Sequence, residues 1–274
     1  MPLFITSLNS GSNGNCYYVG NNTEAVLIDA GISCRETEKR MKQLGLSMKK
    51  LKAIFVSHEH GDHIKGVSTL ANKYSLPVYI TPATANHGPI LLKHLSRTFT
   101  AKEPVIVGEL SVTPFTKQHD AIDPHSFIIE SNGITVGVFT DIGIACEQVT
   151  HYFRQCHAAF LETNYDEAML ENGSYPLHLK NRIRGNQGHL SNKQALELFR
   201  THRPPFMTHL FLSHLSKENN SRELAAQLFT ENANGTTIIV AGRDEPTAIF
   251  TITTSVENDA VTVFAKPVQL GLFQ

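Results

Sequence analysis

The residues Ser57-His58-Glu59-His60-Gly61-Asp62-His63 place three imidazoles and two carboxylates within six consecutive positions, 58–63. An apolar run at residues 51–56, rich in β-branched and aromatic side chains, comes directly before them and predicts a buried strand. Apolar residues recur at helical spacing over residues 64–71. The cluster is therefore expected on a turn at the carboxyl end of a strand, where α/β proteins bind ligands.

This density of ligand-type side chains indicates a metal site. An isolated histidine usually belongs to a solvated turn, but five such residues in six positions favour metal binding. One turn cannot direct all of them at one atom. His58 and His60 can contact one ion, while Asp62 and His63 point toward a second. Imidazole and carboxylate ligands suit Zn²⁺, and also Mn²⁺ or Fe²⁺. We therefore expect two divalent metal ions, zinc being the first choice.

Length and composition indicate one globular enzyme domain. The chain has 274 residues, of which 41% are hydrophobic and 18% charged. No Pro/Gly-rich linker or change of composition divides it, so a single domain is expected over residues 1–274. Residues 256–274 fit either a last edge strand or a loose tail.

Charge and cysteine content limit the partners and the compartment. A net charge of −1 excludes nucleic-acid binding through bulk positive charge, so any phosphate binding must be local. The four cysteines form no Cys-x-x-Cys pair and are expected to be reduced thiols. No signal peptide is recognisable, and no apolar run approaches the ~20 residues of a membrane span. These features predict a cytoplasmic protein without a membrane partner.

Strands, polar turns and helices follow one another along both halves of the chain. The predicted strands cover residues 3–8, 16–19, 25–30, 51–56, 77–80, 105–107, 110–115, 126–130, 135–140, 158–161, 207–212, 237–241 and 248–253. Besides the helix that follows His63, helices are expected at residues 33–44, 83–95, 195–200 and 222–229. The last two strands are expected to form a hairpin turning at residues 243–246. The loop at residues 9–15 reads as a flexible hairpin turn, or alternatively as a flap of backbone N–H groups that touches a phosphate.

Polar residues at later strand ends can complete a two-metal site. His119, Asp141 and His214 each follow a predicted strand. His125 competes with His119, but it begins a strand instead of following one, so His119 is preferred.

Two segments point to the substrate class. His189 stands just before a helix with a predicted capping box from Ser191 to Gln194, and it could protonate a leaving oxygen. After His214, four side chains could hold the non-bridging oxygens of a phosphodiester: Ser216, Lys217, Asn219 and Asn220. The alternatives are a polar neighbour of a helix cap and a solvated loop.

The metal-binding stretch and the later strand-end residues resemble the metallo-β-lactamase superfamily. The resemblance implies an α/β fold of the metallo-β-lactamase type, an αββα four-layer sandwich with the metals at one rim. It also implies a division of the ligands. His58, His60 and His119 would hold one metal, Asp62, His63 and His214 the other, and Asp141 would bridge them.

The order of Asp141, Glu162, His189 and His214 is similar to that in the phosphodiesterase branch of the superfamily. The bacterial YycJ-like (VicX or WalJ) subfamily shares further motifs, among them Gly188-His189-Leu190-Ser191-Asn192. In this branch the histidine protonates the leaving oxygen and an acidic residue orients it. The resemblance therefore implies that His189 and Glu162 are catalytic, together with Asp62.

We expect a dinuclear metal-dependent phosphodiesterase or nuclease that uses a metal-bridging hydroxide and acts on short or single-stranded DNA or RNA. The alternative is a metal-dependent hydrolase of a carbonyl substrate such as a thioester or lactone, which has no need of His189 or Lys217. A di-iron redox protein is disfavoured, because no flavin-binding segment follows and His60 stands where a carboxylate is expected. A metal-stabilised binding module stays open.

Overall fold

Two seven-stranded sheets form the centre of the computed structural model, which describes residues 1–90 and 92–254. The prediction for residues 256–274 lies outside the described residues. The strands are β1 (Leu3–Asn9), β2 (Cys16–Gly20), β3 (Ala25–Ile28), β4 (Leu51–Phe55), β5 (Val78–Tyr79), β6 (Ser96–Arg97), β7 (Val105–Val107), β8 (Leu110–Thr116), β9 (His125–Ser131), β10 (Ile134–Phe139), β11 (Ala158–Glu162), β12 (His209–Ser213), β13 (Thr237–Val240) and β14 (Phe250–Ile252). Every predicted strand has a counterpart whose ends agree within two residues; β6 was not predicted.

The helices are α1 (Cys34–Gln43), α2 (Gly61–Ile64), α3 (Val67–Tyr74), α4 (Pro82–His87), α5 (Glu147–Phe153), α6 (Glu167–Asn172), α7 (Leu177–Arg184), α8 (Asn192–His202) and α9 (Arg222–Thr230). Short 3₁₀ turns lie at Met48–Lys50 and Lys93–Leu95. The helix predicted at residues 83–95 is wrong beyond His87, because Pro89 disfavours a helical Gly88. Helices α5, α6 and α7 were not predicted. None of the helices in the described part of the chain is long and apolar enough to cross a membrane.

The two sheets have related topologies. Their strand orders are β14-β1-β2-β3-β4-β5-β6 and β13-β12-β11-β10-β9-β8-β7. Each sheet begins with antiparallel strands and continues with parallel ones, from β3 to β6 and from β10 to β13. The carboxyl ends of these parallel strands therefore meet at one rim.

The predicted hairpin of the last two strands is wrong. β13 pairs in parallel with β12, whereas β14 pairs antiparallel with β1 in the other sheet. Residues 241–249 cross the end of the sandwich, where Ala241 N donates to Leu212 O and Thr247 N donates to Ser7 O. A short turn between two predicted strands suggests that they pair with each other. The sequence does not show that β12 and β1 each offer an open edge to one of them.

Three apolar clusters define four layers. The first lies between the sheets and includes Ile5, Phe55, Phe127 and Phe160, all fully buried. The second joins the outer face of the first sheet to α1 and α3, and the third joins the outer face of the second sheet to α5, α8 and α9. The fold is the predicted four-layer αββα sandwich.

Candidate active site

The predicted site residues converge on the rim where the parallel strands end. The turn after β4 supplies His58 and His60, and the short helix α2 that follows it supplies Asp62 and His63. The turns that follow β8, β10 and β12 supply His119, Asp141 and His214.

Close backbone packing holds these turns together. A Cβ atom on Gly31 would lie 1.6 Å from the carbonyl oxygen of Asp62, so only glycine fits there. Asn15 N donates to the same carbonyl at 2.7 Å. The turns after β1 and β3 are thereby packed directly against the metal-ligand segment.

Three side chains of the site leave the sheets from left-handed backbone. Asp29, Asp141 and His214 have φ values of 60°, 55° and 56°. Left-handed backbone is uncommon for residues other than glycine, and such strain concentrates at functional sites. Ser10 Oγ accepts a hydrogen bond from His214 N at 2.7 Å and helps to hold that turn.

The ligand atoms form two adjoining sets. Those of His58, His60 and His119 lie within 4.8 Å of one another, as do those of Asp62, His63 and His214. Asp141 lies between the sets: its Oδ2 is 3.1 Å from His63 Nε2 and its Oδ1 is 3.8 Å from His119 Nε2. The structure brings together all seven residues predicted as metal ligands.

The donors fit divalent metal ions. Nε2 of His119 and Nε2 of His214 are buried and hydrogen-bond to no described residue. Buried polar atoms are rarely left without a partner, so we expect these two nitrogens to bind a metal ion. The other ring nitrogen of His119 is 3.0 Å from Gly188 O, the outer-shell contact that holds a metal-ligating imidazole.

Asp29 supports this site and was missed in the sequence. Its Oδ2 lies 2.7 Å from His63 Nδ1 and accepts from Ser57 Oγ, and its Oδ1 accepts from Ser57 N. It had been assigned to the strand at residues 25–30, but β3 ends at Ile28. The feature that could have revealed Asp29 is the position of its carboxylate directly after the apolar residues 25–28.

His189 and Glu162 form a hydrogen-bonded pair beside the ligands. His189 Nδ1 lies 2.7 Å from Glu162 Oε1, and the same oxygen is 3.0 Å from His214 Nδ1. Glu162 is fully buried. Burial alone would raise the pKa of its carboxyl, but His189 and His214 lower it to about 2 in the metal-free protein. The carboxylate is thus ionised and holds His189 through Nδ1.

A cavity of about 250 Å³ opens over the ligands. His60, Asp62, His119, Asp141, His189 and His214 line it on one side. Helix α7 and the residue before its cap form another part of its wall, with Tyr175, Leu179, Arg182 and Ile183. This wall was not predicted from the sequence. The pattern that could have revealed it is an alternation of basic and apolar residues at positions 177–184.

The predicted phosphate-binding loop is only partly at the cavity. Ser216 lines it. Lys217 is exposed and does not line it, and the predicted role of the two asparagines is not supported, because both are buried in the protein. The Asn220 amide nitrogen donates to Thr163 O and to Asn192 Oδ1, each at 2.8 Å. That side chain holds neighbouring loops together and has no donor left for a substrate.

The loop at residues 9–15 also reaches the site. Ser12 lines the cavity, and Asn15 Nδ2 donates to Asp62 Oδ2 at 3.2 Å. Arg40 anchors the start of the loop through Leu8 O. His125 is hydrogen-bonded to Asp123 O and is not part of the ligand sets.

Comparison with known proteins identifies the family. A model of the β-lactamase superfamily domain matches residues 24–214. This chain belongs to that superfamily. Its superfamily relatives include exodeoxyribonuclease YycJ of Bacillus anthracis, 35% identical over 229 residues that cover 82% of this chain and 87% of the relative. Exodeoxyribonuclease WalJ of Streptococcus pneumoniae is 30% identical, over 80% of this chain and 83% of WalJ. The predicted membership of the YycJ-like subfamily is confirmed.

A solved superfamily structure shows the same fold. The metallo-β-lactamase fold protein YhfI of Bacillus subtilis superimposes with a TM-score of 0.70, covering 92% of this chain and all of YhfI. At 16% identity this likeness concerns the fold alone.

Proposed function

We propose that this chain is a metal-dependent nuclease that hydrolyses the phosphodiester bonds of DNA. The observation that carries the proposal is the hydrogen-bonded pair His189–Glu162 at the edge of two adjoining sets of metal-ligand side chains. The names of YycJ and WalJ, both exodeoxyribonucleases, support DNA as the substrate and cleavage from an end.

We adopt the division of ligands that the family resemblance implies. His58, His60 and His119 would hold one divalent ion, Asp62, His63 and His214 a second, and Asp141 would be shared. When bound, such ions stabilise negative charge at the attacked phosphate and lower the pKa of water, which supplies a nucleophile at neutral pH. The donor types suit zinc first, and manganese or iron as alternatives.

His189 is proposed as the proton donor to the leaving oxygen. Glu162 occupies Nδ1 of the ring, so Nε2 is the nitrogen available to the cavity, which His189 lines. A DNA leaving group is an alkoxide, which needs a proton as it departs. A thioester releases a thiolate, which departs without a proton, so a thioester hydrolase has no such requirement at this position.

The test is reconstitution of activity after metal removal. The chelator-stripped protein should be inactive, and added Zn²⁺ or Mn²⁺ should restore hydrolysis of DNA oligonucleotides and of a chromogenic phosphodiester. Asp141→Ala should abolish the recovery and reduce the amount of bound metal. Hydrolysis of a thioester without any cleavage of phosphodiesters would overturn the proposal in favour of the carbonyl hydrolase.

The cytoplasmic location stays a prediction. The four free cysteines are consistent with a reducing compartment, and three of them are buried.

A further inference from the structure

One permanently charged cationic side chain lies among the described residues that line the cavity. Among the described residues that line it, Arg182 is the only lysine or arginine. With a net charge of −1, the protein has no bulk attraction for DNA, so a local cation must contribute to phosphate binding. Lys217, the residue that sequence reasoning selected for this role, is not in the lining.

Arg182 is fixed at one end and available at the other. Its Nε donates to Asp120 Oδ2, and Asp120 N is in turn held by Gln187 O at 2.9 Å. Its two terminal amino groups form no hydrogen bond with any other residue that the structure describes, and 58% of the side chain is exposed. A guanidinium anchored in this way presents a planar fork suited to phosphate oxygens.

Tyr175 lies on the same wall and also lacks partners. It is half-buried and lines the cavity, yet its ring stacks on no aromatic side chain and its hydroxyl has no hydrogen bond within the described residues. It precedes Pro176, the N-cap of α7, whose ring restricts the backbone there. An unpartnered tyrosine on a stiff turn is a platform on which a base can stack.

We propose that Tyr175 and Arg182 form a nucleotide subsite on the α7 wall. Arg182 binds a backbone phosphate of the DNA strand, and Tyr175 stacks against the base of the adjoining nucleotide. The inference rests on the proposed nuclease function and adds two substrate-binding residues to it. A cavity of about 250 Å³ is below the usual range for ligand pockets, which suits contact with a single nucleotide of the strand.

The test measures binding separately from cleavage. The probe is a fluorescein-labelled single-stranded oligonucleotide with phosphorothioate linkages, titrated into metal-reconstituted protein at several salt concentrations. Arg182→Ala should raise Kd about 10- to 100-fold and reduce the slope of log K against log salt by about 0.7. Arg182→Lys should restore the slope, because the charge is retained. Tyr175→Ala should raise Kd roughly 5- to 100-fold and leave the slope unchanged.

Two exposed cations serve as matched controls. Lys217→Ala removes the cation that the sequence favoured, and Arg184→Ala removes a neighbour on α7 that pairs with Glu171. Neither should change the affinity. If all three alanine variants of the basic residues weaken binding alike, or if none does, the subsite is refuted.

Metal content and a small substrate separate binding from support of the metal site. Asp120 Oδ1 is 3.4 Å from His119 Nε2, so Arg182 could act through Asp120 on a ligand. If Arg182→Ala lowers metal content or turnover of the chromogenic phosphodiester, Arg182 supports the metal site through Asp120, and the subsite is refuted. A wild-type protein that cleaves no phosphodiester would refute the nuclease function itself. Wild-type cleavage with unaltered binding by the Tyr175 and Arg182 variants would refute only the subsite.

Discussion

His189 is the residue whose replacement separates proton donation from metal binding. His189→Ala should retain the metal and lose roughly 10²- to 10⁴-fold in turnover on DNA, the usual contribution of a positioned general acid. On a nitrophenyl phosphodiester the loss should be smaller, because nitrophenolate leaves without a proton. Turnover numbers on both substrates provide the measurement. Equal losses on the two would argue against proton donation.

Glu162 has a wider role than orienting one ring. Its Oε1 contacts His189 and His214, and its Oε2 accepts from Ile142 N and Leu190 N. Glutamine supplies one acceptor oxygen and an amide group that cannot accept from these donors. Glu162→Gln should therefore lower turnover and also weaken metal binding by about 10- to 100-fold. Chelator competition measures the second effect, which His189→Ala should not show.

Asp29 should be required for metal affinity although it is not itself a predicted metal ligand. Asp29→Asn weakens the contact with His63 Nδ1 that orients this ring. We expect a 10- to 100-fold loss of metal affinity with little change in fold. Asp123→Asn, which alters a carboxylate near His125 and outside the ligand sets, is the control. Unchanged metal affinity in Asp29→Asn would show that His63 is oriented by other contacts.

Removal of metal should make stability fall at alkaline pH. Burial alone would lower the pKa of His214, but the carboxylates of Asp141, Asp62 and Glu162 raise it to about 10. A folded-state pKa above the unfolded value of about 6.5 stabilises the protein below pH 6.5, and this contribution is lost as pH rises toward 10. Conversely, burial lowers the pKa of His119 to about 4, which costs stability as pH falls from 6.5 toward 4.

The Tm of the chelator-treated protein should therefore be highest near pH 6.5. The metal-loaded protein should not show the alkaline decline, because a metal-bound imidazole carries no titrating proton. A Tm of the metal-free protein that rises steadily from pH 6.5 to 10 would contradict the assignment of a charged His214.

At the scale of single residues, the cluster of metal ligands could be predicted from the sequence, but the residue that orients one of them could not. Residues 58–63 indicate a metal site because five of the six are metal-ligand types. Asp29 ends an apolar strand and its partner is 34 positions away, so only the fold reveals the contact. Asn220 shows the opposite difficulty. From the sequence it was predicted to bind substrate, but its side-chain amide donates to backbone carbonyls of another loop.

Among the elements, α8 has a capping box that lies close in sequence to His189, the proposed proton donor. Ser191 Oγ accepts from Gln194 N, and Gln194 Oε1 accepts from Ser191 N, which completes the predicted capping box two residues after His189. Ser191→Ala should cost about 1 kcal/mol of unfolding free energy and also reduce turnover. Ser221→Ala, at the cap of α9, should cost a similar amount and leave turnover intact. Urea denaturation and kinetics on both variants provide the comparison.

The strands were predictable because their apolar runs are nearly continuous, as expected for strands buried on both faces. Their partners were not. The sequence places β13 and β14 next to each other, yet they join opposite sheets, since pairing depends on which edges the rest of the fold leaves open. Helix α7 has no fully buried residue, so its helical pattern gave no apolar stripe to recognise.

For the whole molecule, we propose that the described residues form one folding unit. The central cluster takes side chains from both sheets, so neither sheet has a complete core of its own. Calorimetry should give one cooperative transition with equal calorimetric and van't Hoff enthalpies. Phe127→Ala, at the interface of the sheets, should cost about 3–5 kcal/mol and move the whole transition. Phe206→Ala, at a largely exposed position, is the control. Two resolved transitions would refute the single unit.

The pairing of β1 with β14 has a consequence for biosynthesis. Leu3 pairs with Ile252, which is synthesised about 250 residues later. At about 5–20 residues per second, the outer edge of β1 waits on the order of 10–50 s for that partner. An open apolar strand edge is a template for pairing with other chains. During this interval the nascent protein depends on chaperones, or on slow nucleation of intermolecular contacts, to avoid aggregation.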